Sequence, residues 1–188
     1  HDIEYYNGME NFHDAGEVLE GTKFKVQIKI AASFLPPMGY EVLKVCFHER
    51  TSKRPEGDVV ILKNGAENKY LVMHIQEDGT LSVTNKQTQE TYHQLNTFVE
   101  KGDDGDEYNY SPCIDDTEIR INDIHPMITC IESSSIEVKY RLEYQIQVPE
   151  KVVDHHRVQA LKPLKICSDV SLKANSQTID FVTKINNH

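Results

Sequence analysis

The feature that most constrains the fold is a strict alternation of apolar and polar side chains from Ile136 to Val148. Seven apolar residues occupy every second position of this run, with six polar residues between them. Because successive side chains of an extended chain point to opposite faces, the run predicts a strand with one apolar and one polar face. At roughly 3.4 Å per residue such a strand would be about 40 Å long, which favours a broad sheet with bulges.

Similar alternation and turn signals recur along the chain, whereas no window of comparable length shows a helical period. Asp78-Gly79 predicts a two-residue hairpin turn and Asn64-Gly65 predicts another turn. Pro126, Pro149 and Pro163 are expected at strand ends or sheet edges. Strands are predicted at 23–31, 40–49, 58–63, 69–76, 80–86, 117–124, 127–132, 135–148, 157–167 and 177–186. The fold class is therefore all-β, a large antiparallel β-sandwich.

A domain boundary is predicted at the polar segment Thr51–Gly57, which contains both a proline and a glycine. Residues 1–50 would be the trailing strands of a small β domain, and residues 51–188 the bulk of a second β domain. The chain has no initiating Met and no leader pattern, so we expect it to be a segment of a longer polypeptide, cut within its last strand.

The amino-acid composition limits the classes of partner that the chain is expected to bind. The formal charge of −10 disfavours nucleic acid and anionic membranes as partners. No apolar run approaches the roughly 20 residues that span a bilayer. The four cysteines (Cys46, Cys113, Cys130 and Cys167) are widely spaced, which favours free thiols and a cytoplasmic location.

No catalytic or metal site is predicted within this chain. The cluster Asp103, Asp104, Asp106 and Glu107 lacks the ligand spacing and flanking helices of an EF-hand. His155 and His156 are neighbours, so in a strand they would point to opposite faces and could not bind one zinc ion together. His74 and His93 are expected to be structural. There is no Gly-x-Ser-x-Gly nucleophile elbow, although a dispersed triad stays open.

The run Lys101–Pro112 combines acidic residues, glycines and the pair Tyr108 and Tyr110, which is a plausible composition for a sugar-facing loop. The chain contains no Trp, so only Tyr could stack on a sugar ring, and Tyr108, Tyr110 and Tyr92 are the best placed in loops. Two of these three are expected to pack structurally instead.

Four segments taken in order resemble the C-terminal β region of family 38 glycoside hydrolases, the zinc-dependent α-mannosidases and their mannosylglycerate-hydrolysing relatives. They are Asn68–Ile75, Glu77–Thr88, Tyr92–Phe98 and Gly102–Pro112. The final strand from Ile179 to His188 and the link Phe34–Tyr40 also look like family elements. The resemblance covers residues 58–188 and, more weakly, 23–50.

The resemblance implies a supersandwich like that of galactose mutarotase, and a division of labour. In the family a separate N-terminal barrel carries the zinc and the acidic catalytic groups, followed by a helical bundle. Zinc is therefore implied for the parent enzyme only, and catalytic and metal residues are expected to be none in this chain. A tyrosine-bearing loop of the sandwich reaches the sugar pocket, and Tyr108 best matches it, with Asp106 and Glu107 as weaker substrate-binding candidates.

The leading hypothesis is the non-catalytic β-sandwich region of a retaining α-mannosidase, supporting the barrel and inactive by itself. The alternatives are an independent carbohydrate-binding module and a purely structural interaction domain. The partners implied are an α-mannoside, the barrel and helical domains of the same polypeptide and, as an open alternative, a homo-oligomer.

Overall fold

The computed structural model describes residues 3–5, 28–30, 37–40, 42, 57–120 and 124–186. The chain divides into two compact units, residues 1–56 and 57–188. In the first unit, β1 (Ile3–Tyr5) pairs antiparallel with β2 (Ile28–Ile30). Most of the strands predicted at 23–31 and 40–49, and Cys46, lie outside the described residues. The predicted boundary between residues 50 and 51 stays a prediction.

The second unit consists of strands and turns, and no helix occurs among its described residues. Its strands are β3 (Val60–Leu62), β4 (Gly65–Glu67), β5 (Leu71–Ile75), β6 (Leu81–Asn85), β7 (Thr91–Leu95), β8 (Val99–Glu100), β9 (Ile119–Arg120), β10 (Met127–Ser133), β11 (Glu137–Pro149), β12 (Val152–Val153), β13 (His156–Arg157), β14 (Leu161–Lys173) and β15 (Ile179–Asn186). Within the described part of the chain, no helix is long and apolar enough to cross a membrane.

One layer is a four-stranded antiparallel sheet in the order β10-β11-β14-β15. Strands β11 and β14 pair over their full thirteen residues, from Glu137 opposite Lys173 to Pro149 opposite Leu161. Pro163 lies opposite Gln147 of β11, two residues before the first described pair of β14 with β15, Lys165 opposite Asn186. A register shift between Cys130 and Glu132 gives β10 the bulge expected of a broad sheet.

The other layer is a five-stranded meander in the order β3-β4-β5-β6-β7. The predicted Asp78-Gly79 turn joins β5 to β6, and Gly79 adopts the left-handed conformation there with φ +77°. Asp78 Oδ1 accepts a hydrogen bond from the Thr80 amide at 2.9 Å, which closes the turn. At the second predicted turn, Gly65 already begins β4.

The core lies between these two sheets, which confirms the antiparallel sandwich. All seven apolar side chains of the alternating run are buried, and Leu142 and Val138 are fully so. They pack with Met73, Leu81 and other residues of the meander in one apolar cluster. Two tyrosines of β11 also cross the core: the Tyr140 hydroxyl donates to Gly65 O at 3.0 Å and the Tyr144 hydroxyl donates to Gly79 O at 3.2 Å.

The sequence missed the shortest and most polar strands. β4 and β8 have three and two residues, too few for an alternating pattern to show. In β7 the first four residues are exposed, so its pattern carries no apolar face. Tyr92 was expected in a loop but lies in β7, where its ring is 55% exposed. At the other extreme, β14 extends six residues past the predicted end at 167.

Candidate functional site

The acidic tyrosine segment forms a long loop whose two legs are joined by a short ladder. Strands β8 and β9 pair antiparallel, with Val99 opposite Arg120 and Glu100 opposite Ile119. We call the intervening residues 101–118 the tyrosine loop. Within it, Asp103 and Pro112 form an isolated antiparallel bridge, and the Asp104 amide donates to Ser111 O at 2.8 Å. The loop is therefore an ordered finger that begins at the edge of the strands.

The tip of the finger is held by two aspartates that cap backbone amides. Asp103 Oδ1 accepts hydrogen bonds from the amides of Gly105 at 2.9 Å and Ser111 at 3.1 Å. Asp106 Oδ1 accepts from the amides of Tyr108 at 2.9 Å and Asn109 at 2.8 Å. These two amide bonds, that of Tyr108 first, hold the pKa of Asp106 below its usual value. Asp106 is thus an anion that fixes the turn preceding Tyr108.

Both tyrosines of the loop project into solvent. Tyr108 is 84% exposed and Tyr110 is 59% exposed. The expectation that two of Tyr92, Tyr108 and Tyr110 pack structurally is wrong, because none of the three is buried. Glu107 is exposed beside Tyr108. The tip therefore offers aromatic rings, hydroxyls and a carboxylate, the groups that sugars bind.

The legs of the loop converge on Arg157 of β13. Its guanidinium donates to both oxygens of Glu100, at 2.5 and 2.6 Å, and to Asp116 Oδ1 at 3.0 Å. The side chain of Arg157 is only 9% exposed. Burial acts to raise the pKa of Asp116, but the bonds from Arg157 and from the Gly102 amide outweigh it and leave the pKa lowered.

A second contact joins the loop to the turn between β12 and β13. His155 Nδ1 lies in hydrogen-bonding contact with Asp104 Oδ2, and the Ile114 amide donates to His155 O at 2.8 Å. The bond with Asp104 raises the pKa of His155. His155 lies in the turn, where Asp154 and His155 have positive φ of 49° and 66°, and His156 begins β13.

Metal binding is not supported by the arrangement of side chains. Among the described residues, no three His, Cys, Asp or Glu side chains are grouped closely enough to hold an ion. His74 and His93 are exposed on β5 and β7. Cys113 is a buried residue of the loop, and burial raises the pKa of its thiol, while Cys130 and Cys167 are also free thiols.

The carboxyl groups of the described chain whose pKa is clearly shifted all favour the ionised form. A general acid needs a pKa raised towards neutrality. Wherever a carboxyl group of the described chain has a clearly shifted pKa, the shift is downward: Asp58, Asp106, Asp116, Glu118 and Asp169.

A cavity of about 450 Å³ lies at the foot of the loop, against Lys101, Arg157 and Leu164, but neither Tyr108 nor Tyr110 lines it. The tyrosines therefore present an open surface.

Sequence reasoning found the tip of the loop and missed its base. Arg157 is 57 residues from Glu100 and 41 from Asp116, and no local pattern links positions so far apart. The same holds for Asp104 and His155, which are separated by 51 residues. The one available signal for these ion pairs was the presence of Glu100, Asp104 and Asp116 in or beside the loop, since buried or clustered carboxylates require a cation nearby.

The fold and the loop place the chain among all-β sandwich domains that carry an exposed tyrosine finger. The family model described as "Glycosyl hydrolases family 38 C-terminal domain" matches residues 66–188. The chain belongs to this family, and the match assigns that region to the C-terminal domain of α-mannosidase-like glycoside hydrolases.

Two solved structures are similar to it. An α-mannosidase from Enterococcus faecalis V583 is 26% identical with a TM-score of 0.67, over 70% of this chain and 17% of that one. A family 38 glycosyl hydrolase from Enterococcus faecalis is 26% identical with a TM-score of 0.68, over 72% of this chain and 18% of that one. The chain thus spans less than a fifth of these relatives. Comparison with curated proteins gives no match.

Proposed function

We propose that this chain is the β-sandwich region of a zinc-dependent retaining α-mannosidase, and that it contributes Tyr108 to the rim of the mannose pocket. The observation that carries the proposal is an 84% exposed tyrosine, at the tip of an ordered acidic finger, in a family 38 C-terminal domain. Family membership supports a glycoside as the substrate and a larger multidomain enzyme as the context.

Within this proposal the Tyr108 hydroxyl donates a hydrogen bond to a sugar oxygen or to an anion at the reacting centre. Asp106 fixes the backbone of the turn, and Glu107 accepts from a sugar hydroxyl. The described residues do not fit a zinc site, because no group of three ligands is assembled. No step is therefore routed through zinc here, and the metal and the reactive carboxylates belong to the catalytic domain of the proposed enzyme.

The first experiment compares hydrolysis of an aryl α-mannoside, with zinc present, by the 188-residue chain and by a longer polypeptide that includes the proposed upstream barrel. We expect turnover only from the longer polypeptide. Turnover by the 188-residue chain alone would contradict the division of labour. A longer polypeptide that folds and hydrolyses no α-mannoside would contradict the substrate.

The second experiment tests Tyr108 in the longer polypeptide. Tyr108→Phe removes one hydroxyl and should lower kcat/KM by about tenfold, the value of one hydrogen bond to a charged or reacting group. Tyr70→Phe is the matched control, because the Tyr70 ring packs near Lys69 in the meander and is not part of the loop. Equal kcat/KM in both variants would remove Tyr108 from the site.

A stand-alone carbohydrate-binding module is the second candidate, favoured by the exposure of both loop tyrosines in the described part of the chain. Titration calorimetry of the 188-residue chain with mannose and mannobiose separates the two. Micromolar binding that Tyr108→Ala and Tyr110→Ala abolish would favour the module. No heat with either sugar would favour the rim role.

The cytoplasmic location is proposed from the cysteines alone. The loop also contains Asn109-Tyr110-Ser111, which matches the N-glycosylation acceptor pattern, although Pro112 follows it. Mass spectrometry of the native protein tests the location: an unmodified Asn109 peptide is expected, and a glycan on Asn109 would show passage through a secretory pathway.

A further inference from the structure

The turn and strands from Val152 to Arg157 contact the tyrosine loop at points spread along its length. Arg157 bonds Glu100 before the loop and Asp116 at its end. His155 contacts Asp104 through its ring and Ile114 through its carbonyl. Both legs of the finger therefore contact one hairpin, formed by β12 and β13.

Arg157 is the central member of this contact. Its fork of N–H donors can bond two carboxylates at once, which a lysine cannot do in the same geometry. The carbon stem of Arg157 also makes contact: a Cβ built on Gly102 would lie 2.7 Å from Arg157 Cδ, so the second residue of the loop packs directly on the arginine. A side chain at residue 102 would push the leg away from Arg157.

We infer that Arg157 is a positioning residue: by holding Glu100 and Asp116 together it fixes the direction in which the finger presents Tyr108 and Tyr110. The inference deepens the proposed function and rests on it only for the consequence in catalysis. The geometrical part, that Arg157 orders the loop, can be tested without any substrate.

Hydrogen exchange of the 188-residue chain tests the geometrical part. In Arg157→Met the amides of residues 102–111 should exchange at least about tenfold faster, while amides of β11 stay protected. Arg141→Met is the matched control, because Arg141 makes a similar two-pronged bond to Asp169, at 2.7 and 2.8 Å, inside the four-stranded sheet. It should leave exchange in the loop unchanged.

Two results would overturn the inference. One is loop exchange in Arg157→Met that matches the Arg141→Met control. The other is loss of protection in β11 together with the loop, which would make Arg157 a general stabiliser. Should Arg157→Met not fold, Glu100→Gln and Asp116→Asn, which keep the arginine and remove one charge each, carry the same comparison with the same two outcomes.

Kinetics of the longer polypeptide test the consequence. In Arg157→Met the KM for an aryl α-mannoside should rise by about tenfold and the pH profile of kcat should keep its shape, because a misplaced rim weakens binding without touching the proton-transfer groups. Faster loop exchange with unchanged KM and kcat would refute the positioning role. A wild-type polypeptide without mannosidase activity would instead refute the proposed function and leave the exchange result standing.

Discussion

The side chain of Asn68 ties the two layers of the sandwich together, so its removal is the most direct test of the fold. Its Nδ2 donates to Lys173 O at 2.9 Å and to Ser176 O at 2.8 Å, next to the turn between β14 and β15. Its Oδ1 accepts from the amides of Tyr70 and Leu71, both at 2.9 Å, at the start of β5. Asn68 is 1% exposed.

The loss of unfolding free energy expected for Asn68→Ala follows from these four hydrogen bonds. Asn68→Ala removes all four bonds, although Lys173 O still accepts from the Ser176 amide at 3.3 Å, and water reaches a site of this burial poorly. At roughly 1 kcal/mol net per bond, reduced where water re-enters, the loss is about 3 kcal/mol of unfolding free energy. With an m-value of about 2 kcal/mol/M, the urea midpoint should fall by about 1.5 M.

Urea unfolding of the 188-residue chain, followed by the fluorescence of its nine tyrosines in the absence of Trp, measures this loss. Asn85→Ala is the control, because Asn85 Oδ1 accepts two exposed amide bonds, from Gln87 at 2.8 Å and Thr88 at 3.2 Å. Water can replace both, so we expect less than about 1 kcal/mol. Equal midpoints for the two variants would refute the assignment of Asn68 as a buried link between the sheets.

Three further predictions concern single sites. Because Asp104 raises the pKa of His155, the stabilisation from their pair should be complete below the unfolded pKa of about 6.5 and lost as the pH rises through the folded pKa. An NMR titration should show that Asp104→Asn lowers the pKa of His155, and an unchanged pKa would contradict the contact. Gly65→Ala would place a Cβ 1.9 Å from Met73 O at a φ of +148°, so urea unfolding should show that the free energy of unfolding falls by about 3 kcal/mol or more. A urea midpoint equal to that of the wild type would disprove the close approach of β4 and β5. Cys113 is 6% exposed with a raised pKa whereas Cys130 is exposed, so a thiol reagent should modify Cys130 at least about tenfold faster. Equal rates measured by mass spectrometry would show that Cys113 is not buried within the loop.

The sheets were predictable because their physical cause is local. In β11 the side chain of each residue indicates the face on which it lies, so the alternation from Ile136 to Val148 identified the strand and its buried side. Asp78-Gly79 likewise identified a turn from two adjacent residues. The strands that escaped prediction, such as β7, have little or no buried face, so no apolar pattern marks them.

The base of the tyrosine loop was not predictable because its cause is distant in sequence. Composition showed that residues 101–112 form a polar, glycine-containing loop, and it correctly excluded a strand core. Which cation would meet its carboxylates depends on the return of the chain at Arg157, and that return depends on the pairing of β11 with β14. The family resemblance supplied the fold of the whole region, and the structure then added the ion pairs.

The ion pairs around the loop differ in how much they can contribute to holding the loop in place. Lys101 and Arg120 both pair with Glu118, at 2.7 and 2.5 Å, but their side chains are 48% and 64% exposed, and exposed pairs contribute little and are screened by salt. Arg157 is 9% exposed and bonds two carboxylates, so salt screens it little and its removal would leave Glu100 and Asp116 without their cation. The direction of the finger is therefore decided by the hairpin that carries Arg157, and the exposed pairs of Glu118 with Lys101 and Arg120 only reinforce a geometry that is already fixed.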